Sequence, residues 1–178
     1  MTVMEAGIVA SGRELEIRHR GFSGLFQLSA WPGQLQAAMD VMQAHGISLS
    51  DRIGGVCEGA GTVTMAIAPG RWLIETGDGS IPALAPETGV VTDLSHARES
   101  FALSGALAPQ LASKIAPVDF DLPRHGPGSV IQTGSGHSIP FTLWRRADGG
   151  FVLYVEGSYA RDFAHSLAAE AEEFLGSA

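Results

Sequence analysis

Hydrophobic and polar positions along this chain alternate in short runs, interrupted by a few stretches of helical spacing, and the pattern is sharpest over residues 90–115. Val90 and Val91 form a brief apolar run that ends at Thr92 and Asp93. Over 98–104, Phe101 and Leu103 fall on one side while Ser100, Ala102 and Ser104 fall on the other, the period of a strand buried on one face. Gly105 permits a tight exit. Leu107, Leu111 and Ile115 then recur every four residues, as one stripe of an amphipathic helix does, with Pro109 early in the helix where a missing N–H costs little.

The same reading covers the rest of the chain. Residues 1–12 carry little pattern and read as a loose arm. Leu15 and Ile17 alternate with charged neighbours in a strand, His19-Arg20-Gly21 reads as a turn, and 24–29 is a second strand with Phe26 and Leu28 in phase and Leu25 outward. A helix is predicted to start at Trp31-Pro32-Gly33, with Leu35, Met39 and Met42 on its stripe, His45 facing the carbonyl end, and Gly46 as its stop. Residues 47–61 read as a glycine-rich surface loop. Residues 62–68 and 71–75 form a hairpin about Pro69-Gly70, with Val63, Met65 and Ile67 or their neighbours inward, and a short helix is predicted over 82–84. Further on, 117–123 is a loop, and 128–133 and 139–145 are strands joined by a turn at Gly134-Ser135-Gly136-His137. Asp148-Gly149-Gly150 turns the chain into a strand over 151–155. Ser158 is the expected cap of a last helix whose stripe is Tyr159, Phe163, Leu167, Ala171 and Phe174 and whose stop is Gly176.

Three segments recur in the same order at nearly constant spacing. Phe26 to Ala30 aligns with Phe101 to Gly105, Gln34-Leu35 with Gln110-Leu111, and the strand at Trp72 with the strand at Phe151. The expected fold class is therefore α+β: two similar strand–helix–strand–strand–helix halves, about 13–88 and 89–178, forming one domain of antiparallel sheets with helices packed on them.

Charge changes the picture more than length does. A formal charge of −8 with no basic cluster beyond Arg145-Arg146 excludes nucleic acid and anionic membranes as natural partners. One cysteine, Cys57, allows no intrachain disulfide, and no apolar run is long enough to span a bilayer, so a soluble cytoplasmic protein is expected. Charged residues make up 17% of the chain against about 25% in ordinary domains, which suggests that part of the surface is covered by another subunit.

The chemistry-bearing residues do not assemble into a motif. Asp93, Ser95 and His96 are triad types, but along a strand His96 points away from the other two, so a turn role is expected. The six histidines (19, 45, 96, 125, 137 and 165) lack the paired spacing of metal ligands. Gly126-Pro127-Gly128 and Gly134-Ser135-Gly136 lack the lysine and following helix of a phosphate loop. Cys57 has no basic neighbour to activate it. Glu170, Glu172 and Glu173 read as the wet side of the last helix. No catalytic, cofactor-binding or metal-binding residue is assigned.

Taken together, VVTDLSHARESFALSG, LAPQLASKIAPVDFDLP, GPGSVIQTGSGHSIPFTLWRR and GFVLYVEGSYARDFAHSL, with PGRWLI in the first half, resemble the gamma subunit of heterotetrameric sarcosine oxidase. Arg71 stands where members of that family tend to have an acidic residue. The resemblance implies a fold similar to the folate-binding domain of aminomethyltransferases. It also implies a place in a complex that oxidises sarcosine to glycine and passes the one-carbon unit to tetrahydrofolate, with FAD, FMN, NAD and tetrahydrofolate held by the larger subunits, alpha in particular. Folate-using relatives need a carboxylate after the glycine turn, where this chain reads Gly136-His137-Ser138-Ile139-Pro140-Phe141-Thr142. The missing acid favours a non-catalytic subunit over a stand-alone folate-binding protein or transferase. The equivalent subunit of an N-methylglutamate dehydrogenase remains an alternative at this stage. Because tryptophan, tyrosine and arginine dominate interface energetics, the expected docking residues are Arg98, Trp144, Arg145, Tyr159 and Arg161.

Overall fold

The computed structural model describes residues 6–59, 61–134 and 138–175. Its strands are β1 (Gly7–Ser11), β2 (Glu16–Arg20), β3 (Gly24–Ala30), β4 (Val56–Gly59), β5 (Thr62–Ala68), β6 (Arg71–Thr76), β7 (Gly89–Asp93), β8 (Arg98–Ser104), β9 (Ser129–Gly134), β10 (Pro140–Arg145) and β11 (Phe151–Glu156). Its α-helices are α1 (Leu35–Ala44), α2 (Ala108–Ile115) and α3 (Ala160–Ala171). The α+β class with two antiparallel sheets and helices packed on them agrees with the sequence pattern.

The chain divides into two compact units. The first holds the six-stranded sheet β1-β2-β8-β11-β10-β9 and the helices α2 and α3. Its core forms where the period-two face of each strand meets the helical stripes. Ile17, Phe101, Leu103, Phe141, Leu143, Phe151, Leu153 and Val155 pack against Leu111 and Ile115 of α2 and Phe163 and Leu167 of α3. Phe163 is the centre: its ring lies 5.6 Å from that of Phe101 and 5.3 Å from that of Phe141, in tilted arrangements. Lys114 ties α2 to the chain end, with Nζ 3.0 Å from Glu170 Oε2 and 2.9 Å from Glu173 Oε1. Two of the three glutamates read as the wet side of the last helix, Glu170 and Glu173, are thus ion-paired, and these hydrogen bonds raise the Lys114 pKa. At the exit of β8, Gly105 adopts φ +103 with its Cα close against the Glu14 carbonyl, room that no side chain would leave.

The second unit holds the five-stranded sheet β4-β5-β6-β3-β7 and α1. Leu28, Ala66, Trp72 and Ile74 pack on Ala38 and Met42 of α1. Gly46, at φ +77, closes the helix: Ile47 N–H donates to Met42 O and Gly46 N–H to Gln43 O, both at 3.0 Å, the paired bonds of a Schellman ending. His45 Nδ1 sits 2.9 Å from Val41 O, at the carbonyl end as expected. Gly128–Val130 joins this unit, because Ser129 bridges Gly55 and Val130 N–H donates to Gly54 O at 2.9 Å.

Several expectations are corrected. Residues 7–11 are not a loose arm but an edge strand. His19 and Arg20 lie within β2, where their backbone pairs with Phe101 and Ser100, so no turn forms there. The first helix starts at Leu35 rather than near Trp31, since Gly33 takes φ +80, outside helical geometry. The segment 47–61 is only partly a surface loop. Ile47 and Leu49 enter the core, Thr64 Oγ1 and Trp72 Nε1 donate to Ser48 O and Ser50 O, and 56–59 is strand β4. No helix forms over 82–84. Leu25 is buried rather than outward, while in β5 the inward positions are Met65 and its neighbours Thr64 and Ala66, within what the pattern allows, with Val63 and Ile67 half-buried. Tyr159, not Ser158, occupies the cap of α3, with no side-chain cap bond. The turn at Ser135, Gly136 and His137 and the stop at Gly176 lie outside the described residues.

The two sheets share one connection pattern. In each, a central strand is followed by a helix and three further strands, and the order is β4-β5-β6-β3 in one and β9-β10-β11-β8 in the other. The flanking strands are exchanged along the chain: β2, which immediately precedes β3, pairs with β8, and β7, which immediately precedes β8, pairs with β3. A cut at 88/89 therefore separates β7 from the sheet it completes and β2 from its own.

Replacing Phe163 by Ala removes the ring shared by Phe101 and Phe141 and leaves a cavity. The expected loss is about 3–5 kcal/mol of stability, read from the midpoint of urea unfolding.

Candidate functional site

Asp93, Ser95 and His96 close the turn between β7 and β8. Ser95 N–H donates to Asp93 Oδ1 at 2.8 Å, and Ser95 Oγ accepts from Leu25 N–H at 3.0 Å. The hydroxyl and carboxylate are thus spent on backbone, in the turn role the spacing predicts. Hydrogen bonding from Ser95, through its hydroxyl and then its N–H, holds the Asp93 carboxyl below its ordinary pKa, with a smaller contribution from the charge of His96.

The histidines are scattered. His19 is buried, its Nε2 2.8 Å from Glu99 Oε2 and its ring 5.1 Å from that of Phe101. His125 Nδ1 lies 2.7 Å from Asp119 O, and His137 lies outside the described residues. Among the described residues no three His, Cys, Asp or Glu side chains come together in a way that would hold a metal ion. Likewise, no described helix is long and apolar enough to cross a membrane.

The five expected docking residues occupy different settings. Arg98 pairs with Glu156 across β8 and β11, 3.5 Å apart. Trp144 is buried, with its Nε1 lacking a hydrogen-bond partner and the Arg146 guanidinium 5.9 Å from its ring. Arg145 is an internal clamp. Its Nη1 donates to Phe120 O at 2.8 Å and His125 O at 2.9 Å, and its guanidinium lies 5.7 Å from the Phe120 ring and 5.9 Å from that of Phe151. Tyr159 is 42% exposed at the start of α3. Arg161, one residue into the helix, is exposed.

Arg161 stands at a feature that the sequence pattern missed. An open groove of about 550 Å³ runs between β1 and α3, lined by Ile8, Val9, His19, Arg161, Ala164 and His165 with Gly7 and Ala168. The lining comes from segments at opposite ends of the chain, so only the tertiary structure brings it together. Ile8, on the rim, is 59% exposed. A second groove of about 610 Å³ lies around Glu16, Arg18, Arg146 and Asp148, where the charges neutralise one another: Arg18 Nε is 3.1 Å from Glu16 and Arg146 Nη2 is 2.6 Å from Asp148.

Fold and site together define an α+β chain of two antiparallel sheets with an open groove, largely apolar, between β1 and α3. The particular relatives follow from comparison with known proteins. The chain is 28% identical over 167 residues to sarcosine oxidase subunit gamma of Corynebacterium sp. (strain P-1), covering 90% of this chain and 81% of that one. It is 28% identical over 165 residues to the subunit of the same name from Arthrobacter sp., covering 89% and 80%. A chain of the heterotetrameric sarcosine oxidase from Corynebacterium sp. U-96, in complex with pyrrole 2-carboxylate, superposes with a TM-score of 0.79 at 28% identity, covering 96% of this chain and 90% of that chain. No family model matches the sequence. The likeness to sarcosine oxidase gamma subunits read from the motifs thus extends over almost the whole chain, in sequence and in fold.

Arg145→Met keeps the apolar stem and removes the donors to two carbonyls. The expected cost is about 2 kcal/mol, with faster proteolysis of 117–126 as the local readout. Asp93→Asn removes a carboxylate whose folded pKa is depressed. That contribution is complete above the ordinary carboxylate range and disappears as pH falls through the lowered value. The variant's stability, followed by thermal unfolding from neutral to acid pH, should therefore fall less steeply than that of the parent.

Proposed function

We propose that this chain is a non-catalytic gamma subunit of a heterotetrameric sarcosine oxidase, a flavoenzyme complex that oxidises sarcosine to glycine and passes the one-carbon unit to tetrahydrofolate. The observation that carries this reading is the near full-length agreement of sequence and fold with chains of that assembly. In this reading FAD, FMN, NAD and tetrahydrofolate belong to the larger subunits, alpha in particular, and the complex works in the cytoplasm. The non-catalytic role is supported by the use made of the reactive side chains: Ser95 and Asp93 hold a turn, and His19 is committed to Glu99. A stand-alone folate protein is disfavoured by the lack of Asp or Glu from Gly136 to Thr142, where a carboxylate would balance a developing cation.

Co-expression with the larger subunits tests the reading. The chain is expected to co-elute with them in a yellow complex that turns over sarcosine. Alone, it should neither turn over sarcosine nor give saturable heat on titration with tetrahydrofolate. Elution of the chain by itself, or saturable folate binding by the isolated chain, would overturn the assignment. Preference of the complex for N-methylglutamate over sarcosine would move it to the equivalent dehydrogenase subunit.

A further inference from the structure

We infer that the groove between β1 and α3 seats an extended apolar segment of a larger partner subunit, and that this segment carries a carboxylate directed at Arg161. The inference rests on the subunit reading for the identity of the occupant and on the groove itself for its chemistry.

Among the described residues β1 ends its sheet and pairs on one side only, with β2. A free edge offers a row of backbone donors and acceptors to any passing strand. Natural edges are therefore usually blunted by charge or proline. Gly7-Ile8-Val9-Ala10-Ser11 contains neither; a register shift between Ile8 and Ala10 is the one protective device present. Ile8 meanwhile projects into solvent. Opposite it, Ala164 and Ala168 are one helical turn apart, so the α3 wall is low and a second backbone can approach closely. An edge strand beside a shallow apolar wall is the geometry of strand addition, in which main-chain bonds supply affinity and side-chain pockets supply register.

The charge of the groove selects the occupant. Among the described residues its lining contains no acidic side chain, although the chain as a whole carries −8. His19, in the lining, is already held by Glu99. The Arg161 side chain has no ion pair or hydrogen bond among the described residues, a state it shares with the Arg52 and Arg71 side chains; Arg161 differs from them in lining the groove. With His165 beside it in the lining, Arg161 is a planar donor waiting for a bidentate acceptor. A second copy of this chain adding strand to strand would bring the same acid-free lining, and so no partner for Arg161. A partner segment that places one carboxylate among apolar residues satisfies both features.

The test uses the full chain assembled with the larger subunits. Arg161→Glu reverses the rim charge at an exposed position, and Ile8→Thr keeps a β-branched residue while removing apolar surface. Arg52→Glu, an exposed change in the loop before β4, controls for altered net charge. Affinity for the larger subunits is measured by titration, with circular dichroism and thermal unfolding to establish folding. Each groove variant should weaken assembly about tenfold or more while Arg52→Glu does not. If the parent chain assembles and both groove variants bind as tightly, the groove is not the seat and the subunit reading stands. If the parent chain fails to assemble at all, the occupant named here is wrong together with the subunit reading. If instead the chain self-associates and the groove variants abolish this, the groove is a seam between copies and the heteromeric occupant is overturned.

Discussion

The structure depends on strand pairing across long stretches of sequence, above all the registration of β2 against β8. Ile17 opposes Leu103 and His19 opposes Phe101, so a single slip would carry Ile17 off the helix-bearing face and uncover the floor beneath α2 and α3. The pairing of β3 with β7 plays the same part in the other unit, with Leu28 opposite Val91. β8 joins one neighbour that precedes it, β2, to one that follows it, β11, whereas β3 joins β6 and β7, both of which follow it in the chain.

This arrangement commits polar groups to structural tasks. Ser100 Oγ donates to Arg20 O across β8 and β2, Arg145 gathers two loop carbonyls between aromatic rings, and Lys114 joins α2 to the chain end. Side chains used in this way hold the fold together, and displacing them would cost those contacts. Among the described residues, an uncharged strand edge, a wall of small residues and Arg161, which has no ion pair there, face the outside.

Much of this was legible in the residues, for physical reasons. β5 and β8 were read from alternation and β6 and β11 from short apolar runs, all bounded by Gly or Pro turns, so pattern and punctuation together place them to within a residue or two. β1 and β4 escaped notice because edge strands need bury only one side weakly, and Gly7–Ser11 and Val56–Gly59 show no clean alternation. The helix start was misplaced because Pro32 reads as a first-turn residue while the conformation of Gly33 is set by the bend the chain has to make. Among the docking candidates, residue type alone suggested exposure for Trp144 and Arg145; one is buried and the other is held by backbone carbonyls, which only the fold determines. The groove was illegible because its two walls lie at opposite ends of the chain.

The exchange of β2 and β7 also bears on how the protein is made. β2 leaves the ribosome long before β8 exists, so Ile17 must stay unsatisfied while the whole five-stranded unit is synthesised; closing so long a loop is slow and costly in entropy. Neither half of the polypeptide, translated by itself, contains every strand of its own sheet. The nascent chain therefore depends on shelter, from a chaperone or from rapid completion, for longer than a molecule of tandem self-contained repeats would.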